Sequence, residues 1–358
     1  MGKPFRGFSI QQASARWWLM LAVLSGGTAW IYLRPGPENA RATVLEGATM
    51  GTRYRVVLPE PQAEINSLQK MVRAKFDRVV SLMSTYDDSS ELSRFNASRS
   101  MDPMPVAPET RAVLEIALQV WRRSGGAFDA TVGPLVELWG FGPSGRPETM
   151  PGDAELAEVR AAVGSDGLKL TAAGLAKDHP ETRVDLSAVA KGYAVDLVAD
   201  GLEAAGVKRY LVEVGGEIRV RGFRQGRDPF RVAIEAPDPK ARRVHSVFEL
   251  TEGAVATSGN YRNFYERDGV KYVHTLSPST GRPIESRLLS ATVHHPSCAW
   301  ADAWATALMV RGDQAWDLAH SQGLEVLLLM AGPDGTVQEQ ITPGLAALRV
   351  RAPAIAED

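Results

Sequence analysis

Between Ile65 and Met83 the apolar residues Ile65, Leu68, Val72, Phe76, Val79, Val80 and Met83 recur at helical spacing, which predicts an amphipathic helix. Pro108 to Arg123 repeats the pattern, with Val113, Leu114, Ala117, Leu118 and Trp121 inward and Gly125 just past the end. Two further helices are expected over Ser187–Ala205 and Ala299–Val310. Strand patterns come mostly in adjacent pairs. Met50 to Leu58 places Tyr54, Val56 and Leu58 on one face, and Arg209–Val214 and Glu217–Arg221 flank Gly215-Gly216. Phe230–Glu235 and Ser246–Thr251 form another pair. Phe264–Tyr265 and Lys271–His274 surround Arg267-Asp268-Gly269, a hairpin signal. Leu288–His294 and Glu325–Met330 complete the set. Paired strands with helices inserted between the pairs predict an α+β fold, not a regular βαβ series.

Composition refines this picture at the N-terminus. Trp17 to Leu33 has no charged residue and follows Lys3, Arg6 and Arg16. The run approaches the roughly 20 apolar residues that span a bilayer, and its basic flank would stay in the cytoplasm. A retained anchor is expected, with a cleaved signal peptide ending near Ala40-Arg41-Ala42 as the alternative. Either places the body outside the cytoplasm: on the periplasmic face of a bacterial inner membrane, or free in the periplasm. The expected layout is anchor and linker over 1–45, one catalytic domain over 46–350 and a short tail over 351–358. The 358 residues are 44% hydrophobic and 23% charged, with net charge −2, so no basic field favours nucleic acid. The one cysteine, Cys298, cannot form an internal disulfide and is expected in the core.

Several side chains stand out chemically. Asp302 and Thr306 lie four apart on a predicted helix and so share a face. A carboxylate and a hydroxyl suit Mg²⁺, which takes few protein ligands and completes its shell with water and phosphate oxygens. Without a partner for the acid, the same spacing is only a helix-surface Asp and a Thr. Asp185-Leu-Ser187 precedes a helix as capping chemistry does, and that helix start could also hold phosphate, with Lys191 adding charge. His274 ends a hairpin strand ahead of a Ser/Pro/Thr/Gly loop, where it could serve as a general base or as a structural His. His294 and His295 point to opposite faces of their strand. Neither a P-loop, a Rossmann fingerprint, zinc spacing nor a nucleophile elbow is present.

A series of motifs in fixed order then resembles the FAD:protein FMN transferase (ApbE) family over about Met50 to Gly312. They are Met50-Gly-Thr52, Ser84-Thr-Tyr86 with Ser90-Glu-Leu-Ser-Arg-Phe-Asn96, and Gly126-Ala-Phe-Asp-Ala-Thr-Val-Gly-Pro134 with Leu138-Trp-Gly-Phe-Gly142. Asp185-Leu-Ser187 with Lys191-Gly-Tyr193 and Val212-Glu-Val-Gly-Gly-Glu217 follow. Last come Thr257-Ser-Gly-Asn-Tyr-Arg262, read as a Gly-rich turn, Tyr272-Val-His-Thr-Leu-Ser-Pro-Ser-Thr-Gly-Arg-Pro283 and Ala301-Asp-Ala-Trp-Ala-Thr306. Asn260 and Ser277 replace acids that the family often carries.

The resemblance implies a two-lobed α+β body of mainly antiparallel sheets with packed helices and a flavin cleft between the lobes. It implies FAD contacts at Met50, Tyr86, Ala127, Phe128, Asp129, Asp185, Lys191 and Leu276. Mg²⁺ ligation is implied for Asp302, Thr306 and the backbone oxygen of Ala188, and a catalytic role for His274. The implied reaction moves FMN from FAD to a Thr or Ser hydroxyl of an acceptor protein in trans, a subunit of a redox complex, and releases AMP. A pyrophosphatase giving FMN and AMP, and a non-catalytic flavin-binding accessory protein for respiratory complex assembly, are the alternatives.

Overall fold

A computed structural model describes residues 29–31 and 42–350 of the chain. Its centre is an eight-stranded sheet in which every neighbouring pair is antiparallel. In spatial order it runs β15 (Val337–Ile341), β14 (Glu325–Ala331), β13 (Leu288–His295), β10 (Glu252–Gly259), β7 (Glu217–Arg221), β6 (Tyr210–Val214), β3 (Thr52–Leu58) and β2 (Thr43–Thr49). A second sheet joins β1 (Ala29–Ile31), β8 (Phe230–Glu235), β9 (Val244–Leu250) and β16 (Arg349–Val350). Two hairpins stand apart: β4 (Leu168–Thr171) with β5 (Gly174–Lys177), and β11 (Phe264–Arg267) with β12 (Val270–Val273). The helices are α1 (Ile65–Met83), α2 (Glu91–Ala97), α3 (Pro108–Arg123), α4 (Gly133–Leu138), α5 (Asp153–Arg160), α6 (Ser187–Ala204), α7 (Cys298–Arg311), α8 (Ala315–Gln322) and α9 (Pro343–Ala347).

The large sheet is buried on both faces. One face meets α1, α6 and α7 through a core that includes Val56, Phe76, Val195, Ala291 and Trp304. The other meets the second sheet through Leu211, Val255 and Leu327 against Val232, Phe248 and Leu250. This explains why strands such as Val326–Met330 are continuously apolar although the sheet is antiparallel. Helix α7 is apolar nearly all round because it lies among α6, α3 and strands β10 and β13. A third, small core of Leu135, Trp139, Leu156 and Leu276 packs α4 and α5 under the β11–β12 hairpin.

The expected α+β class is what the structure has. The part of the N-terminal run that is described, Ala29–Ile31, pairs antiparallel with β8 as a strand. The rest of the expected anchor and linker up to residue 41, residues 1–28 and 32–41, lies outside the described residues, as does the 351–358 tail. Among the described residues no helix is long and apolar enough to cross a membrane. The expected Gly-rich turn at 257–262 needs correction: Thr257, Ser258 and Gly259 complete β10, and the chain turns only after them.

Candidate active site

The site begins where α6 and α7 cross. Gly192 on α6 lies so close to α7 that a Cβ there would sit 2.3 Å from the Cys298 carbonyl oxygen. One turn further along α6, buried Asp196 caps α7. It accepts hydrogen bonds from the Cys298 and Ala299 amides at 3.0 Å and from the Ser297 hydroxyl at 2.7 Å. A carboxylate at a helix N-terminus satisfies orphan amides and complements the dipole. These two contacts fix the depth and register of α7, and with them the position of Asp302.

Asp302 is 2% exposed. Its Oδ2 accepts the Gly192 N–H at 3.0 Å, the amide that helix geometry directs toward the Ala188 carbonyl one turn earlier. Asp302 and the Ala188 carbonyl therefore share one location. Thr306 follows on the same face of α7, its Oγ1 3.2 Å from Ser258 Oγ on β10. The result is a set of hard oxygen donors: one carboxylate, one carbonyl and two hydroxyls. No group of three or more His, Cys, Asp or Glu able to hold a metal occurs among the described residues. Oxygen donors of this kind suit a hard cation that takes few protein ligands.

The missing partner of the buried acid is Lys191. Its Nζ lies 3.6 Å from Asp302 Oδ2 and 3.1 Å from Glu217 Oε1. The Glu217 side chain is 5% exposed and that of Lys191 24%, so the ammonium bridges two buried acids from the rim. Burial by itself would lower the Lys191 pKa, but the Asp302 and Glu217 charges override it and raise it. Burial also raises the Glu217 pKa, Asp302 adds to the effect and Lys191 opposes it. Sequence motifs contained Glu217 without giving it a role; an acid directly after Gly215-Gly216, at the start of a strand, was the available signal.

Three backbone turns border this cluster. Met50 and Gly51 have φ of 48° and 71° and join β2 to β3 in a left-handed turn. Such a conformation costs a non-glycine residue roughly 1–2 kcal/mol, and strain of this kind concentrates at functional sites. The turn meets Gly215: the Gly215 amide bonds the Arg53 carbonyl at 3.1 Å, and a Cβ on Gly215 would sit 2.9 Å from Thr52. Asp185 precedes α6. Its Oδ1 accepts from the Ser187 amide at 2.8 Å and from the Ser187 hydroxyl. The helix N-cap itself is Leu186, with no side-chain cap, so the capping role expected of Asp185 is exercised from one residue further back. Asn96 fixes this loop through paired bonds of 2.8 Å to the Val184 backbone.

Tyr86 is 60% exposed, and its pKa is raised by partial burial and then by the charges of Asp185 and Glu137. Ala127, Phe128 and Asp129 are all buried. Both Asp129 oxygens are engaged, by the Thr131 amide and hydroxyl and by the Ser165 amide and hydroxyl. The side chain of Asp129 thus braces its own loop. The Ala130 carbonyl accepts from the Asp185 amide at 2.7 Å and ties this segment to the start of α6.

His274 directly follows β12. Its backbone amide and its Nδ1 both bond the Asn263 carbonyl, at 3.2 and 3.1 Å. A carbonyl only accepts, so Nδ1 carries the proton and Nε2 keeps its lone pair. Burial lowers the His274 pKa; the Asn263 bond opposes this, and the Lys191 charge lowers it further. Lys191 is thus within electrostatic reach of both His274 and Asp302. Leu276, beyond His274, is buried in the small third core. Asn260 is buried and accepts the Thr275 hydroxyl at 2.6 Å.

Residues 50–328 match the sequence profile of the ApbE family. This chain belongs to the ApbE family. The FAD:protein FMN transferase of Vibrio cholerae is 44% identical over 311 residues, covering 86% of this chain and 93% of that protein. Its counterpart in Escherichia coli K12 is 40% identical over 305 residues, covering 83% and 87%. The solved flavin transferase ApbE of Vibrio cholerae superposes with a TM-score of 0.80 at 40% identity, covering 86% of this chain and 99% of that one. The ApbE fold carries the same layout of a large antiparallel sheet with packed helices.

Proposed function

We propose that this ApbE-family chain transfers FMN from FAD to a Thr or Ser hydroxyl of another protein, with release of AMP. The coarser statement, that it is a flavin transferase, rests on family membership and on relatives of that name at 40–44% identity over most of the chain. The observation that carries the finer reading is the Lys191 ammonium held beside the buried Asp302 carboxylate, and a histidine whose Nε2 lone pair is left available supports it.

Asp302, Thr306 and the Ala188 carbonyl would hold Mg²⁺, which when bound neutralises charge on the pyrophosphate. Lys191 offers a fixed positive charge beside it. His274 Nε2 takes the proton of the acceptor hydroxyl as that oxygen bonds to the FMN-side phosphorus and the bond to the AMP phosphate breaks. Asn263 holds the imidazole in the tautomer this requires. Met50, Tyr86, Asp185, Leu276 and the Ala127–Asp129 segment would contact FAD. The acceptor would be a redox-complex subunit, and the residues ahead of Ala29 would carry the tether that holds the body on the periplasmic side of the inner membrane.

The test is to incubate the protein with FAD, Mg²⁺ and candidate acceptors. A gain of one FMN-phosphoryl mass on the acceptor, matched by AMP, is expected. FMN and AMP released with no mass gain on any acceptor would establish a pyrophosphatase instead, and flavin binding with no AMP a carrier.

A further inference from the structure

The loop that holds His274 is itself anchored from outside the site. Glu235 closes β8 on the second sheet and is 4% exposed. Its Oε1 accepts from the Arg262 guanidinium at 2.5 Å, and Arg242 approaches the same oxygen at 3.9 Å from an exposed position. Arg262 immediately precedes Asn263, whose carbonyl fixes both the backbone and Nδ1 of His274. On the other side of Arg262, the Asn260 amide bonds the Leu289 carbonyl and Asn260 Oδ1 bonds the Thr275 hydroxyl. The 260–263 turn is thus pinned at Asn260 to β13 and at Arg262 to β8, and it presents one carbonyl to the histidine.

We propose that Glu235 and Arg262 are positioning residues for His274: their ion pair holds the Asn263 carbonyl where it selects the Nδ1–H tautomer and aims Nε2. A buried ion pair is weak evidence of net stabilisation, because desolvation offsets the attraction. What the pair supplies is geometry. It crosses from the second sheet to the hairpin that carries His274, two parts of the molecule with separate cores. Small displacements of a catalytic group are expensive: about 1 Å can cost on the order of 100-fold in rate.

The inference rests on the reading of His274 as the base, so the test separates the two. Full-length protein labelled with ¹⁵N-histidine reports the tautomer of each of its six histidines, and His274→Ala assigns the His274 signals. The wild type is expected to show Nδ1–H at His274, and Glu235→Ala to shift these signals toward a mixture of tautomers. Flavin transfer should fall about 10–100-fold in kcat with FAD affinity unchanged. In a His274→Ala background the same Glu235 substitution should cost less than about 2-fold, because the two act through one group. Glu235→Gln, which keeps the shape and an acceptor oxygen, should lose less than Glu235→Ala and serves if the alanine variant does not fold. Unchanged His274 signals in the Glu235 variants, or an equal loss of kcat in both backgrounds, would overturn the brace. Full transfer by His274→Ala would instead remove His274 as base, while the tautomer measurement still decides whether Glu235 positions it.

Discussion

Replacing Asp302 with Asn tests the buried oxygen cluster with little change of shape. The amide retains an oxygen for the Gly192 N–H, now 3.0 Å from Oδ2, so the perturbation is chiefly the loss of one negative charge. At 3.6 Å from Lys191 Nζ, the direct Coulomb interaction removed is about 5 kcal/mol at an effective permittivity of roughly 20. The net cost is far smaller, because Lys191 keeps Glu217 at 3.1 Å and a quarter of its side chain reaches solvent. A loss of about 1–3 kcal/mol in stability is expected, the usual range for a disrupted buried polar contact, seen as a fall of several degrees in Tm. Activity should respond more strongly. Charge neutralisation by a bound metal contributes several kcal/mol to a transition state, and about 3 kcal/mol is on the order of 100-fold in rate. AMP release measured across a Mg²⁺ titration, beside thermal melts with and without Mg²⁺, reads both quantities. Asp302→Asn should require much higher Mg²⁺ and should lose the Mg²⁺-dependent rise in Tm. A variant with wild-type Mg²⁺ dependence and only a lowered Tm would refute the argument, leaving Asp302 as a counter-ion of Lys191 alone.

Gly192→Ala should destabilise by roughly 1–3 kcal/mol and weaken Mg²⁺ dependence together, since its Cβ would meet backbone at 2.3 Å and force α6 from α7; a melt and a Mg²⁺ titration check this, and an unperturbed Mg²⁺ response would count against the shared location of Asp302 and Ala188. For His274, burial lowers the pKa, so the neutral base should persist below the ordinary value of about 6.5. Transfer should then decline only on acidification past that lower midpoint. The unfolded chain binds the proton first, so this residue's contribution to stability is lost as pH falls from about 6.5 toward its folded pKa. A transfer profile with its midpoint above 6.5, or one unchanged by His274→Ala, contradicts this.

Much of this molecule is legible in local pattern. Helical spacing at Ile65–Met83 and Pro108–Arg123, the Asp268-Gly269 turn and the strands on either side of Gly215-Gly216 appear where the periodicity places them, because each depends on neighbours within a few residues. Asp302 and Thr306 could be placed on one helical face for the same reason. The short elements were not legible: α4 and α5 bury only a few residues each, against a hairpin more than 100 positions away. Strand β10 was missed altogether: its end, Thr257-Ser258-Gly259, has turn composition, and only pairing with β13 makes it strand.

The sequence by itself determined the α+β class and the family, since these follow from residue type, order and local spacing. Tertiary structure alone decided who meets whom. Gly192 reaches Asp302 across 110 positions and Arg262 reaches Glu235 across 27, while Lys191 is held between acids from two other elements. Burial then sets the electrostatics: an acid, an ammonium or an imidazole takes its pKa from desolvation and from charges that only the folded chain brings near.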